Sequence, residues 1–147
     1  MRILALDMGD RRIGVALSDQ MQLIAQGLCT YERKSAAADL DFISALVEQY
    51  RVVQLVIGLP RNMNGTYGER AEKTWAFGDA LSGRISVPVG YWDERLSTVA
   101  AERILIEADV SRKKRKKVID KMAAVNILQS YLDFLRNKKE MEGKNNG

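Results

Sequence analysis

Three acidic residues stand where side chains of a folded protein could act together on a substrate. Asp7 follows the apolar run of residues 3–6, Glu94 follows a second apolar segment, and Asp120 lies near the start of a helical pattern. Three carboxylates at one place would repel each other unless a cation lay among them, and ligands of this type favour magnesium or manganese. Two such ions can clamp a phosphodiester, which is the chemistry of a nuclease.

Each acid also has a purely structural explanation. Asp7 could pair with an arginine of the turn that follows it, and Glu94 with the arginine that comes next in the chain. Asp120 could favour the first turns of a helix through the helix dipole. Taken singly, these explanations compete on equal terms with a metal site, so the case for chemistry depends on the three acids converging.

Composition narrows the chemistry further. The 147 residues carry a formal net charge of +4, no histidine and one cysteine, Cys29. Catalysis by a histidine-activated nucleophile, a histidine-ligated metal and a cysteine-rich zinc site are therefore excluded. No segment is apolar and long enough to predict a membrane span, and no signal peptide is recognisable, so we expect a cytoplasmic protein without a membrane partner.

The hydrophobic pattern predicts an α/β domain over residues 1–137 and a disordered tail over 138–147. Predicted strands cover 3–7, 13–18, 23–31, 52–57 and 85–92, and predicted helices cover 35–50, 66–82, 97–108 and 117–137. The first three strands are joined tightly and should be antiparallel, whereas the later ones are joined through helices and should be parallel. Thr66 and Glu69 match a capping box, and Pro88 predicts that the last strand lies at a sheet edge.

This arrangement can bring the three acids together. Asp7 and Glu94 fall at the carboxyl ends of strands, where sites gather in open α/β sheets. Helical steps forward from Asp120 lead to an apolar stripe, which predicts that Asp120 projects from the helix face that packs on the sheet. The stripe contains Ala123, Ala124, Ile127, Tyr131 and Phe134.

Four spaced motifs resemble those of the YqgF family, in order and over nearly the whole chain. They are Asp7-Met8-Gly9 with Arg12-Ile13-Gly14-Val15-Ala16 and Ser18-Asp19; Ile57-Gly58-Leu59-Pro60 with Asn62-Met63-Asn64-Gly65-Thr66; Asp93-Glu94-Arg95-Leu96-Ser97-Thr98; and Lys117 and Asp120 with Ala123-Ala124, Ile127-Leu128-Gln129 and Tyr131-Leu132. Members of this family belong to the ribonuclease H-like superfamily. They are provisionally named pre-16S rRNA nucleases and were earlier named Holliday junction resolvases.

The resemblance implies a ribonuclease H-like fold, with a mixed five-stranded sheet in the order 3-2-1-4-5. It also implies that Asp7, Glu94 and Asp120 are catalytic ligands of Mg²⁺ or Mn²⁺. The wider resolvase relatives carry a catalytic glutamate on the fourth strand, where this chain has Gly58, and Glu94 is thought to substitute for it. Whether Asp93 or Asp10 joins the site is left open.

Basic and polar residues near these acids are candidates for binding the substrate. A basic run precedes Asp120 directly and would meet phosphates there, although most such runs are solvated loops. Asn62 and Asn64 could contact nucleic acid, or could serve only the turn. The full set of predicted nucleic-acid-binding residues is Arg11, Arg12, Asn62, Asn64, Arg95, Lys113, Lys114, Arg115, Lys116 and Lys117.

Four functions are compatible with these residues. The first is a metal-dependent nuclease that processes the 5′ end of the 16S rRNA precursor. The second is a resolvase of four-way DNA junctions, which would favour a homodimer because two strands must be cut. The third is a non-catalytic nucleic-acid-binding protein. The fourth is an ATP-binding relative of the actin and sugar-kinase fold, which is disfavoured because those proteins need two such domains.

Overall fold

A mixed sheet of five strands forms the centre of the protein. The computed structural model describes residues 1–62, 64–96 and 112–145, with the side chains of all of these except 112–120, 144 and 145. The strands lie in the predicted order β3-β2-β1-β4-β5, with β1 to β3 antiparallel and β4 and β5 parallel to β1. Their bounds are β1 (Arg2–Met8), β2 (Arg12–Ser18), β3 (Ala25–Glu32), β4 (Val52–Leu59) and β5 (Val89–Asp93).

Helices cover both faces of this sheet. They are α1 (Ala36–Gln49), α2 (Glu69–Ser82) and α3 (Arg112–Asn145), and a short 3₁₀ helix (Glu94–Leu96) follows β5. Leu4 and Leu6 of β1 pack in the core under α1 and α2, whereas Ile3 and Ala5 pack in the core under α3. All four are at most 1% exposed. The unbroken apolar run of β1 therefore reflects a central strand whose alternating side chains are buried on both faces.

An ion pair holds the start of α1 against the β1–β2 hairpin. Asp39 is 2% exposed and accepts hydrogen bonds from Arg33 Nε and the Lys34 N–H, both at 3.0 Å. The same guanidinium donates through Nη1 to the Gly9 carbonyl at 3.0 Å, within the turn just after Asp7. One buried carboxylate thus fixes the arginine that fixes the turn.

We expect Asp39→Asn to lower the free energy of unfolding by about 3 kcal/mol, because it leaves the Arg33 guanidinium without its counter-charge. Burial raises the pKa of the Asp39 carboxyl, but hydrogen bonds from the Lys34 N–H, Arg33 and Tyr31 outweigh it and hold that pKa below 3.8. A depressed folded-state pKa stabilises the protein above the unfolded value and loses that contribution as pH falls through the folded value. Urea unfolding at pH 7 and at steps below pH 4 should show this loss in the wild type and less of it in Asp39→Asn.

Asp41→Asn is the matched control, because Asp41 lies on the same helix and its ion pair with Arg84 is exposed. Its removal should cost less than about 1 kcal/mol. Equal losses in the two variants would show that the Asp39 ion pair has no special role.

Helix α2 and strand β5 begin later than the sequence predicted. Helix α2 has Gly68 as its N-cap, not Thr66, and no side chain caps it. Thr66 instead belongs to the preceding loop, where its backbone N–H and its hydroxyl both donate to Asn64 Oδ1, at 3.1 and 2.6 Å. Strand β5 begins only at Val89, after Pro88, whose carbonyl accepts from the Leu55 N–H at 2.9 Å.

Helix α3 is longer than predicted at both ends. It begins at Arg112 and continues to Asn145, whereas the sequence predicted a helix over 117–137 followed by a disordered tail. The lysines and glutamates of 138–142 are good helix formers, which explains the continuation. The predicted helix over 97–108 lies outside the described residues.

The buried stripe of α3 agrees with the prediction at Ala123, Ala124 and Ile127, all at most 1% exposed. It continues through Leu128 and Leu132. Phe134 was predicted to belong to the stripe but is 48% exposed, and it contacts Trp92 at the sheet edge, with ring centroids 5.3 Å apart. None of the described helices is both long and apolar enough to cross a membrane.

Candidate functional site

Asp7 lies at the end of the central strand on the face of the sheet covered by α3. Its side chain is 2% exposed. Gly14 of β2 lies directly opposite Asp7 in the antiparallel register. On the other side, the parallel pairing of Leu6 with Ile57 places Gly58 next to Asp7 one residue further on. Neither neighbouring strand therefore puts a side chain beside the carboxylate on this face.

The Glu94 side chain occupies part of the space that Gly58 leaves. A Cβ at position 58 would lie 3.3 Å from Glu94 Cγ and would collide with the side chain of Ile127 in α3. Glu94 begins the 3₁₀ helix after β5, so its backbone belongs to the sheet edge while its side chain reaches inward over β4. The structure thus brings Glu94 to the strand adjacent to Asp7, on the same face. Strands are about 4.8 Å apart, so the Glu94 side chain lies over the strand next to the one that carries Asp7.

Asp120, the third predicted ligand, lies within α3. The positions three, four and seven residues after it are buried against the sheet, which is the face on which Asp120 was predicted to lie. Its side chain lies outside the described part of the structure, as do those of Lys113 to Lys117, whose backbone forms the first turns of α3 rather than a loop. Among the described side chains, no three acidic, histidine or cysteine residues form a cluster that could hold a metal ion.

Asp93 is engaged by two arginines. The Arg95 guanidinium donates to both of its carboxylate oxygens, the Arg95 N–H donates to Oδ1 at 2.9 Å, and Arg61 Nη1 donates to Oδ2 at 3.3 Å. Burial raises the pKa of the Asp93 carboxyl, but these hydrogen bonds outweigh it and hold that pKa below its ordinary value. Asp93 therefore orders the loops beside Glu94, and its oxygens are already occupied by cations of the protein.

Arg61 was not singled out from the sequence, although it organises the loop after β4. It donates to the Gly65 carbonyl through Nε at 3.1 Å and Nη2 at 2.6 Å, and it lies over the Tyr67 ring at 4.4 Å. Its carboxylate partner, Asp93, is distant in sequence, so local patterns could not reveal the contact. The only indication of its role in the sequence was its position, between Pro60 and Asn62 of the second family motif.

The asparagines of the same loop serve its internal structure. Asn62 donates from Nδ2 to Thr66 Oγ1 at 3.1 Å, and Asn64 accepts from the Thr66 N–H and hydroxyl. Both side chains remain exposed at the carboxyl end of β4. Their turn role, one of the two interpretations that the sequence left open, is thus present in the structure, and contact with nucleic acid stays a prediction.

Arg11 and Arg12 occupy the β1–β2 hairpin. Arg11 is exposed, while Arg12 is half-buried and lies 3.8 Å from Glu32 across an ion pair. Gly9 starts the turn, and a Cβ there would lie 2.8 Å from the Arg12 carbonyl oxygen, so only glycine fits. Asp10 points to solvent, 79% exposed, and its nearest cation is Lys73 at 3.9 Å. It does not join Asp7.

Asp19, the last acid of the first motif, closes a turn away from these residues. It accepts from the backbone N–H groups of Met21, Leu23 and Ile24, at 3.1, 2.8 and 2.8 Å. These bonds, led by that from Ile24, hold the pKa of the Asp19 carboxyl below its ordinary value. The residue is a structural element of the loop before β3.

Comparison with known proteins shows the family to which the chain is related. A family model described as "RuvX: Holliday junction resolvase" matches residues 1–134. A protein of Heliobacterium modesticaldum is 56% identical over 90% of this chain and 89% of its own length, and one of Pelotomaculum thermopropionicum is 55% identical over 100% of this chain and 97% of its own. Both carry the name "Putative pre-16S rRNA nuclease".

Among solved structures, RuvC of T. thermophilus in complex with a Holliday junction substrate superposes with a TM-score of 0.63. The match covers 94% of this chain and 96% of that one at 11% sequence identity. A sequence identity this low supports a shared fold and nothing more. The predicted ribonuclease H-like fold is thereby confirmed, and so is the resemblance drawn from the four motifs.

Proposed function

The chain belongs to the RuvX family, also called YqgF, and on that premise we propose that it is a metal-dependent nuclease that hydrolyses phosphodiester bonds in the precursor of 16S rRNA. The names of relatives at 55 and 56% identity support the RNA substrate. The observation that carries the proposal is the placement of the Glu94 side chain over Gly58, the residue that lies beside the buried Asp7. Asp120 is proposed as the third acid.

The donor set fits a magnesium or manganese ion. Asp7 and Glu94 offer carboxylate oxygens on one face of the sheet, and the chain has no histidine that would favour a softer metal. A divalent cation held there supplies Lewis-acid polarisation of phosphate oxygens and lowers the pKa of a bound water. The protein's contribution is position: Asp7 is fixed by a central strand and Glu94 by the 3₁₀ turn that Asp93 and Arg95 hold.

Charge on the protein surface would guide the substrate to this edge. Arg11 and Arg12 stand on the hairpin after Asp7, and Lys113 to Lys117 stand at the start of α3. Cationic side chains of this kind give salt-dependent, sequence-tolerant binding to phosphates. We propose that they, together with Asn62, Asn64 and Arg95, contact the nucleic acid.

The test is a cleavage assay with two substrates, a 16S rRNA precursor fragment carrying its 5′ extension and a four-way DNA junction, each with Mg²⁺, Mn²⁺ or EDTA. We expect ion-dependent cleavage of the RNA. Cleavage of the junction alone would replace the RNA assignment with junction resolution, and sedimentation should then reveal the homodimer that paired cuts require. Cleavage of neither substrate with either ion would leave a nucleic-acid-binding protein without catalysis.

A further inference from the structure

A basic pocket lies on the other face of the sheet from Asp7. Its volume is about 540 Å³, and its lining comes from the β1–β2 hairpin, the end of β3, the start of α1 and Lys73 of α2. Helices α1 and α2 pack on the face opposite α3, so the pocket and the carboxylates lie at the same end of β1 but on opposite sides of it. Nothing in the metal chemistry proposed above uses this pocket.

Five cations line the pocket, and they differ in how far the protein itself neutralises them. Arg11 and Lys34 are exposed, and among the described residues neither side chain has an ion-pair partner. Arg12 Nε is buried and donates to no acceptor in the described part of the chain. Arg33, by contrast, is already committed to Asp39 and the Gly9 carbonyl and forms a fixed wall.

The acidic residues of the lining are either exposed, as Glu32 and Asp10 are, or already paired with Arg33, as Asp39 is. Glu32 is 62% exposed and lies 3.8 Å from Arg12, and Asp10 is 79% exposed and lies 3.9 Å from Lys73. Exposed pairs at such distances are weak and readily exchanged for a better partner. An anion that accepts two hydrogen bonds could therefore bind to arginine and lysine donors in the pocket without breaking a buried ion pair.

Backbone donors reinforce the same preference. Ser35 caps α1 by accepting a hydrogen bond from the Ala38 N–H at its Oγ, at 3.1 Å. The N–H of Ala36, in the first turn, has no intrahelical acceptor. Both Ser35 and Ala36 line the pocket. The amino end of a 14-residue helix therefore adds partial positive charge to the five side-chain cations of the lining.

We propose that this pocket binds a backbone phosphate of the nucleic-acid substrate, at a position separate from the phosphodiester that is cut. The inference rests on the proposed function, since it assigns the pocket to the same substrate. A strand that contacted both places would pass around the β1–β2 hairpin, with Arg11 and Arg12 beneath it. The pocket would then fix the register of the strand with respect to Asp7 and Glu94.

The experiment measures binding without cleavage. Fluorescence anisotropy of the labelled rRNA precursor fragment and the labelled four-way junction, in EDTA and over a series of KCl concentrations, compares the wild type with Arg11→Gln/Lys34→Gln. Loss of one phosphate contact should weaken binding about tenfold and reduce the slope of log K against log salt by about 0.7 to 0.9. Arg11→Lys/Lys34→Arg should bind as the wild type does, which excludes a folding defect.

Lys138→Gln/Lys139→Gln is the matched control, because it removes the same charge from exposed positions near the end of α3. Its affinity should change less than about twofold, since charges beyond a Debye length are screened. Equal weakening in the control and pocket variants would overturn the inference in favour of a general charge effect. So would unchanged binding by Arg11→Gln/Lys34→Gln, and this result would leave the proposed nuclease function standing.

Three further outcomes separate the hypotheses. A wild type that binds the RNA through the pocket but never cleaves it with Mg²⁺ or Mn²⁺ would defeat the nuclease and preserve the pocket. A wild type that binds neither nucleic acid would defeat both. Tight binding of ATP that the pocket variant loses, with RNA affinity unchanged, would reassign the pocket to a soluble phosphate compound and overturn the inference.

Discussion

Asp7→Asn should lower divalent-ion-dependent cleavage by at least about 100-fold, because even an outer partner of a metal ligand is worth 10- to 100-fold and Asp7 is proposed to touch the ion itself. The substitution preserves the shape of the side chain and removes its charge. Since Asp7 is 2% exposed within a central strand, no neighbouring carboxylate can move into its place without distorting β1. Initial rates with Mg²⁺ and with Mn²⁺ measure the effect.

A second readout separates lost metal binding from a lost fold. Anything that binds only the native state raises the melting temperature, by an amount that grows with the logarithm of its concentration over its dissociation constant. Mn²⁺ should therefore raise the melting temperature of the wild type and have little effect on Asp7→Asn. Asp79→Asn is the control, an exposed acid of α2 far from the site, and it should keep both responses. Full cleavage by Asp7→Asn would remove Asp7 from the site.

Gly58→Ala should destabilise the protein and impair cleavage at once. The new Cβ would collide with Ile127, which is fully buried, and would lie 3.3 Å from Glu94 Cγ. Overpacking of a core in this way costs about 1–3 kcal/mol. Because the same atom presses on the Glu94 side chain, the carboxylate must shift relative to Asp7, and a metal site tolerates little displacement.

Ile127→Val separates the two consequences of that collision, since it removes the terminal methyl of the side chain that the new Cβ meets in α3. Alone it should cost about 1 kcal/mol. Combined with Gly58→Ala it should recover stability, so that the double variant loses less than the sum of the single changes. Cleavage should stay low in the double variant, because the contact with Glu94 is unchanged.

Gly90→Ala on the neighbouring strand is the control, as a Cβ there meets only Gln54 Nε2, at 3.9 Å. It should leave urea unfolding and the cleavage rate close to those of the wild type. A Gly58→Ala protein that was as stable and as active as Gly90→Ala would show that the space over β4 is not needed.

Much of the architecture follows from patterns that act over a few residues. The buried run before Asp7, the short turn at Gly9 and Pro88 in the last predicted strand were enough to predict a mixed sheet with an antiparallel hairpin and an edge strand, whereas the strand order followed from the family resemblance. The helical stripe of α3 was predicted correctly where small residues approach the sheet, at Ala123 and Ala124, because close packing leaves no alternative for that face.

The features that the sequence could not predict depend on contacts between residues far apart in the chain, or on a side chain that has two possible hydrogen-bond partners. Thr66 matched a capping box, but its hydroxyl donates to Asn64 Oδ1 within the loop before the helix. The ion pair between Arg61 and Asp93 joins residues on different loops, and no local pattern encodes it. The contact of Glu94 with the space above Gly58 depends on how far β5 advances relative to β4, which only the assembled sheet determines.

The packing of α3 has a consequence for how the protein becomes active during its synthesis. The first three strands leave the ribosome early, but in the described part of the chain one face of β1 and β2 is covered by α3, through residues such as Ala123, Ala124, Ile127 and Leu128 near the other end of the chain. Contacts between such distant segments form slowly and late. We therefore expect the nascent sheet to keep an apolar face exposed until α3 has been synthesised, and the proposed approach of Asp120 to Asp7 would wait for the same event. A chain that stalls before α3 would carry most of the sheet without Asp120, so on the proposed function we expect RNA cleavage only by molecules that contain α3.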